Sequence, residues 1–514
     1  MANASSEVTV SLWQSQVEVM PSAAALTADA ECDVVVIGSG IAGLSTAYEL
    51  SLAGQKVIVL DRGPICGGIT ARTTAHLASV CDDGAATLVK MRGEETARLF
   101  QQSQDAAVDR IEAIVGLHKI DCNFRRLDAY LFPAPGMEFS EARKQQKDEI
   151  IALHACGVTV EEAKGVPFKG YEAAPVLHYT NLATFHPLRY LRALVDVMQR
   201  QGVRFHANTP VANVADKDGQ ALVRTESGKI VTAQHAVVAT NTPFNDRFAL
   251  HSKMAPYRTY AMTFTLPQGH LPDALYWDMA DPYHYVRLNP GPGSVDYLIV
   301  GGADHKTGEA DDGSVRFEAI EAWIRALLPE LGKEVHRWSG QVMDTIDYCG
   351  FIGRNPGDRQ VFVATGDSGQ GITHGALAGL LLSDLILKGN SPWEEVYEPS
   401  RKPLAGALNY VRENMTALKN ASEYLLPGEL PSEAELQPGQ GAVLRDGLRR
   451  IAVSRDKAGN LHRFEAACTH LGCQVHWNST EQCWDCPCHG SHFGTDGSVL
   501  NGPATAPLKP WHRS

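Results

Sequence analysis

The chain has no long apolar run. No window reaches the ~18 consecutive apolar residues of a membrane span, and the nearest stretch, Gly375–Leu387, is short and interrupted. Positive charge is also scarce. With 46 Lys+Arg against 59 Asp+Glu the net charge is −13, which argues against nucleic acid or an anionic membrane surface as a partner. The N-terminus carries neither the basic nor the apolar segment of a signal peptide, so a cytoplasmic location is expected. A second dinucleotide fingerprint is missing, which weighs against a reductase fed by NAD(P)H. What remains is an ordinary globular composition, 44% hydrophobic and 20% charged, in a chain of 514 residues, enough for two or three domains.

One stretch organises the first part of the chain. Val34–Ile37 reads as a strand buried on both faces, and Lys56–Leu60 as its parallel neighbour. Between them run Gly38-Ser39-Gly40-Ile41-Ala42-Gly43 and a helical segment. Gly38 permits the tight turn, Gly40 the approach of a pyrophosphate, and Gly43 the close packing of helix on strand. The helix N-terminus at Ile41 and Ala42 points N–H groups and a positive dipole end at the phosphates. Asp61 closes the second strand, near the spacing expected of a carboxylate that binds ribose hydroxyls, and Arg62 follows it. Strand, turn, helix, strand and acid occur in order, so a dinucleotide site is expected.

The loop Gly67–His76 is rich in hydrogen-bonding side chains. Thr70, Arg72, Thr73 and Thr74 are read as cofactor contacts, although Thr73 and Thr74 would also serve to cap a following helix. His76 is read as a packed residue. Residues 85–160 look mostly helical, over Thr87–Gln102 and Ala106–Leu117, and His186-Pro187 opens a helix over Leu188–Gln201. Val203–Phe205, Thr209–Val211 and Ala236–Thr240 look like strands returning to the nucleotide sheet. Pro256–Leu266, Tyr283–Leu288 and Tyr297–Gly302 alternate and are aromatic-rich, as in an antiparallel sheet. Val361–Thr365 runs into Gly366-Asp-Ser-Gly-Gln-Gly371-Ile372-Thr373, a second strand, glycine turn and helix N-terminus. Residues 391–440, around one helix over Leu404–Leu418, look like a connection.

The eleven cysteines are unevenly placed: six scatter between Cys32 and Cys349 and five crowd into Cys468–Cys488. Cys468-Thr-His470 and Cys486-Pro-Cys488-His489 offer two thiolates and two imidazoles on two loops. Such a set holds either zinc or a [2Fe–2S] cluster with two cysteines on one iron and two histidines on the other.

The fingerprint, the Gly68-Ile-Thr70-Ala-Arg72-Thr-Thr74 loop and the Gly366–Gly371 turn resemble the D-amino-acid oxidase/sarcosine oxidase family of FAD-dependent enzymes, over roughly residues 31–392. The resemblance implies FAD as cofactor, Val211 presenting its backbone to the adenine, and Gly371-Ile372-Thr373 setting a helix dipole against the flavin pyrimidine. It also implies oxidation of a C–N bond beside a neutral amine nitrogen. A substrate carboxylate would then need a cation, for which Arg258 and Arg287 are the candidates. Tyr257, Tyr260 and Tyr285 would shape the pocket or orient the amine. Asp61 stands where the family more often has Glu, and relatives with covalent FAD attach it at other positions than His76.

The C-terminal residues resemble the Rieske family. That resemblance implies Cys468, His470, Cys486 and His489 as cluster ligands and Cys473–Cys488 as the disulfide of respiratory-type members. Oxygenases of the family typically lack that pair and need a further iron domain, for which the 25 residues after His489 leave no room. Ser491 is placed to donate to a cluster sulfur. Phe493 replaces the usual tyrosine, so a potential inside the range of about −150 to +300 mV, below its respiratory extreme, is expected. Cys483 has no assigned role.

The expected architecture is therefore α/β: a Rossmann-like FAD-binding domain with an antiparallel-sheet substrate domain, plus a small all-β Rieske domain. Residues 1–30 would form an arm, 31–392 the oxidoreductase, 393–423 a connection and 424–514 the Rieske domain. Within the oxidoreductase, 31–85, 186–250 and 345–392 would bind FAD, and 86–185 and 251–344 would cover the substrate. The expected function is oxidation of an amine or N-substituted amino acid, with electrons passing from FAD through the cluster to an external acceptor, a protein, a quinone or O₂. The alternatives are a reductase serving another enzyme and a redox-sensing protein.

Overall fold

A computed structural model describes residues 7–245, 250–402, 429, 432–447 and 449–512. The helix expected over Leu404–Leu418, and most of the expected connection, lie outside them. The nucleotide sheet is built around the first strand, Ala30–Ile37, which pairs in parallel with Val57–Leu60 on one side and Ile230–Val238 on the other. Arg204–His206 and Val361–Thr365 extend it, also in parallel, and Phe351–Arg354 closes one edge in antiparallel sense. Helices cover this sheet, and so the inner stretches of its central strands, Val34–Ile37 and Val57–Leu60, are apolar and buried. Val34, Val35, Val36, Ile58 and Val59 are fully buried, each contributing about 1.5–3 kcal/mol relative to exposure.

Helices Ile41–Leu52 and Gly371–Lys388 pack against each other at van der Waals distance because glycine lines the contact. A Cβ on Gly375 would lie 2.4 Å from Ile41, and one on Gly379 2.8 Å from Ser45. Gly371–Lys388 is long and apolar enough to cross a membrane, which differs from the short run read in the sequence, but most of it is buried in this core.

The second sheet has the strand order Glu334–Thr345, Met254–Pro267, Val295–Lys306, Tyr285–Pro290, Leu275–Asp278, Arg125–Phe132, Pro175–Thr184, His76–Leu77. It is antiparallel except where Leu275–Asp278 meets Arg125–Phe132. The stretch 85–160 is mostly helical, as its periodicity indicates, with one strand inside it and another at its end. Helices Ala85–Arg92, Glu94–His118 and Phe139–Ala155 form, but Arg125–Phe132 and Val160–Lys164 are strands, held by pairing with Pro175–Thr184. Long-range pairing overrides local propensity here.

The C-terminal region is all-β. One sheet is Gly441–Asp446, Arg449–Arg455 and Leu461–Glu465; the other is His476–Asn478, Cys483–Asp485, His492–Phe493 and Val499–Asn501. It seats on the rest of the chain through Arg258–Asp485, Arg72–Glu481 and Asp311–Ser479 contacts. The N-terminal segment is wedged beside this joint. Leu12 and Trp13 are fully buried, and the Trp13 indole donates to the Thr73 carbonyl at 2.6 Å.

Candidate active site and cluster site

A cavity of about 830 Å³ runs between the two large sheets. Its floor is the glycine turn after the first strand. Gly38 adopts φ +101°, and a Cβ there would lie 2.3 Å from the Ala239 carbonyl oxygen; a Cβ on Gly43 would lie 2.0 Å from the Gly38 carbonyl oxygen. Gly38, Gly40, Ile41 and Ala42 line the cavity, whereas Gly43 lies behind them as a packing position. Because backbone, not a flexible side chain, meets the added atom, Gly43→Ala is expected to cost about 1–3 kcal/mol by overpacking. Bound flavin per mole of protein should fall with it, as read by absorbance and thermal melting.

Helix Ile41–Leu52 has no acidic residue in its first turn. The Thr70 hydroxyl accepts from the Ile41 N–H at 3.0 Å. Asp61 accepts from the Ser39 N–H at 2.8 Å and the Gly63 N–H at 2.9 Å, bracing both turns while facing the cavity; burial raises its pKa. Arg62 lines the cavity and pairs with Glu226 at 3.5 Å. Thr73, Thr74, Val211, Gly366, Gly371, Ile372 and Thr373 also line it. Two glycine turns, two helix N-termini and a ribose-side carboxylate in one elongated cavity fit FAD.

Arg72 lines the cavity with a guanidinium that is engaged elsewhere, 2.6 Å from Glu481 and 3.1 Å from Glu7. His76, read as a packed residue, lines the cavity edge-to-face with Tyr285, and burial, then Arg287, pulls its pKa down to about 3. Tyr257 and Tyr285 line the cavity, and Tyr260 instead packs on Phe317 and bonds His305 at 3.0 Å.

The two arginines expected to meet a substrate carboxylate do not line the cavity. Arg258 is buried between Glu7 at 3.3 Å and Asp485 at 3.0 Å, bridging the N-terminal segment and the C-terminal region. Arg287 donates to the Thr74, Ala75 and Phe185 carbonyls and stacks 5.4 Å from the Trp13 ring. Each meets groups from distant segments instead.

Residues from the C-terminal region complete the wall: His492, Leu500, Asn501, Gly502 and Ala504. Behind them lie the cluster candidates. The His470 and His489 rings are 5.0 Å apart, and His251 of the larger unit packs 4.9 and 5.4 Å from them. Burial, with His251 and His470 beside it, holds His489 down to about 3, in the neutral form a metal needs. Cys468 and Cys486 are buried, and hydrogen bonds from Cys486, the backbone at His470 and the Ser491 hydroxyl lower the Cys468 pKa. The sulfurs of Cys473, Cys486 and Cys488 lie within 4.8 Å of one another, but Cys473 and Cys488 are disulfide-bonded, so Cys486 is the free thiol of that group. Two thiols and two imidazoles on disulfide-tied loops fit a [2Fe–2S] cluster. Cys483 is buried, its thiol donating to Asp485 at 3.4 Å.

The description FAD dependent oxidoreductase (DAO) matches residues 33–385, and Rieske [2Fe-2S] domain matches residues 428–512. The chain belongs to the FAD-dependent oxidoreductase family. It carries a C-terminal Rieske domain, and its cofactors are FAD and a [2Fe–2S] cluster. It is 32% identical over 504 residues, 97% of this chain and 96% of the relative, to YhfW of Bacillus subtilis (strain 168), a protein named for a Rieske 2Fe-2S centre. It is 26% identical to the glycine oxidase of Bacillus licheniformis over 388 residues, 72% of this chain and 97% of that one. The fold matches the crystal structure of glycine oxidase from Geobacillus kaustophilus with a TM-score of 0.61 at 17% identity, covering 73% of this chain and 99% of that one.

Within this family frame the acidic character of the cavity is the feature that sequence reading missed. Burial raises Asp82 and Asp367 to about 6, Asp304 to about 7 and Asp83 to about 8, and lifts Asp344 well above the usual carboxylate range. Neighbouring negative charge adds to the effect at all but Asp367. The adjacent pair Asp82-Asp83 before Gly84 was the visible signal; Asp304 and Asp344 come from remote strands and Asp367 from the turn after Val361–Thr365. In the folded state these carboxyls keep protons that the unfolded chain, with a value near 3.8, has released. Stability contributed this way is present below about pH 4 and lost as pH rises toward 8. The melting temperature without amine ligand is expected to fall between pH 5 and 8, and Asp83→Asn should flatten that slope.

Proposed function

We propose that the protein oxidises the C–N bond of a small amine in this cavity and delivers the electrons through the Rieske domain to an external acceptor. The observation that carries this reading is the shared wall. His492 lines the same cavity as Gly38 and Gly371, and the Ser491 carbonyl beside it accepts from the N–H of the ligand candidate Cys486 at 2.9 Å. The glycine oxidase relative and the two-part YhfW relative support it.

Bound FAD supplies a two-electron acceptor and the cluster a one-electron carrier. The chain's own part is to hold the substrate. Tyr257, Tyr285 and His76 wall the cavity on the sheet side, and Trp277, Tyr283 and Trp338 add aromatic surface to its lining. Overall, C–N becomes C=N with release of two electrons and two protons, and water then hydrolyses the imine.

Anaerobic mixing of the purified protein with amines tests this. Bleaching of the flavin together with a rhombic Rieske EPR signal is the expected result. Reduction by NAD(P)H alone would make it a reductase, and fast peroxide release with no cluster signal in a parallel aerobic run would make it a simple oxidase.

A further inference from the structure

Ten carboxylate side chains line the cavity, against two arginines, Arg62 and Arg72, and among the described residues no lysine does. Both arginines are held in ion pairs with carboxylates. Some of the acids are also engaged: Asp61 braces the glycine turn, Glu149 caps helix Ala85–Arg92 with bonds of 2.7 and 2.9 Å, and Asp278 meets His284 at 2.8 Å. Asp82, Asp83, Asp304 and Asp344 face the cavity with no lysine or arginine paired to them among the described residues. The Tyr283 hydroxyl donates to Asp82 at 2.9 Å, a neutral partner. Asp304 Oδ1 is a fully buried oxygen at the cavity wall that accepts no hydrogen bond from the described residues.

A group of carboxylates enclosed together is costly unless it is protonated or met by cations. An anionic substrate end would be repelled by them, and the two arginines once expected to receive it lie outside the cavity. A ligand with ammonium groups separated by a methylene chain would neutralise the wall and leave a further nitrogen for oxidation.

Building on the amine-oxidising reading, we infer that the substrate is a di- or polycationic amine, bound through Asp82, Asp83, Asp304 and Asp344, and not a free amino acid. The acids act as the specificity element of the site. The distal ammonium fixes the position of the chain, and its length sets which C–N bond reaches the oxidant.

The test uses the flavin- and cluster-loaded protein with putrescine, spermidine and N-methylputrescine on one side, and butylamine, glycine and N-methylglycine on the other. Flavin bleaching and melting temperature are read together at low salt. The expected result is reduction by one or more of the diamines at a KM at least about tenfold below that of butylamine, the size of one lost charge contact. Asp304→Asn should erase the diamine advantage by raising the diamine KM more than the butylamine KM, and it should also remove the rise in melting temperature that spermidine gives. Asp82→Asn serves as the second variant should the first fail to fold. Reduction by glycine or N-methylglycine in preference to every diamine would overturn the polycation inference and leave amine oxidation standing. Reduction by none of the six, with dithionite still reducing both centres, would overturn both.

Discussion

Truncating Arg258 to alanine is expected to destabilise the protein by about 3–5 kcal/mol, because removing one member of a buried ion group strands the others. Arg258 is fully buried and holds Glu7 at 3.3 Å, Asp485 at 3.0 Å and the Ser339 hydroxyl at 2.9 Å. Burial alone would raise Glu7, but Arg72, then His492 and Arg258, hold it well below the usual carboxylate range. Asp485 is likewise lowered against its burial by Arg258. Without the guanidinium both carboxylates face each other inside the joint between the oxidoreductase and the Rieske domain. Thermal melting followed separately by flavin fluorescence and by cluster absorbance should show the Rieske transition moving first and furthest. Arg258→Ala combined with Asp485→Asn should recover part of the loss; full additivity of the two would show that they do not interact.

The same ion group fixes the sign of a second pH effect. A carboxylate lowered in the folded state contributes stability above its unfolded value near 4, which is lost as pH falls further. The joint therefore loosens below about pH 4, opposite in sense to the cavity acids, whose contribution weakens as pH rises. Between these limits a stability maximum on the acid side of neutrality is expected. Melting at closely spaced pH values separates the two limbs, and Arg258→Ala should flatten only the acid one.

Legibility in the sequence followed locality. The Gly38–Gly43 turn and the Cys468–His489 cluster residues lie within short windows whose spacing is itself the chemistry, so their geometry was readable. Arg258 and Arg287 were misread because their partners are remote: Glu7 is 251 residues away from Arg258, and Asp485 227. An arginine on an aromatic-rich strand looks the same whether it faces a substrate or a neighbouring domain. The acidic wall was missed for the same reason, since Asp82, Asp304 and Asp344 come from a loop and two separate strands. Arg125–Phe132 was hidden between two helices and became a strand only through its pairing with Pro175–Thr184. What the sequence hid was the joint between its two halves, and the joint is where the cavity gains His492 and Asn501.

The largest functional effect is expected from Cys486→Ser, which should leave substrate-driven bleaching of the flavin intact and lower turnover with a one-electron acceptor by more than about 100-fold. Serine keeps the backbone N–H that donates to the Ser491 carbonyl, and Cys473–Cys488 still ties the two loops, so the exchange removes the candidate thiolate ligand with little change of shape. The glycine turns that cradle FAD belong to the other domain. The connection between them is short: His492 lies 3.1 Å from Glu7 and 2.7 Å from Gln341, and Gln341 in turn donates to the Gly490 carbonyl at 3.0 Å, inside the loop that carries Cys486 and His489. Gln341 and His492 both line the cavity. Stopped-flow absorbance reads the flavin step, and EPR reads the cluster. Loss of both steps in Cys486→Ser would mean that the Rieske domain shapes the cavity wall rather than relaying electrons. Gln341→Leu separates the two roles, because it keeps the cluster ligands while cutting the contact to Gly490. A slower rise of the cluster signal at unchanged flavin bleaching in that variant would assign the path to these two side chains.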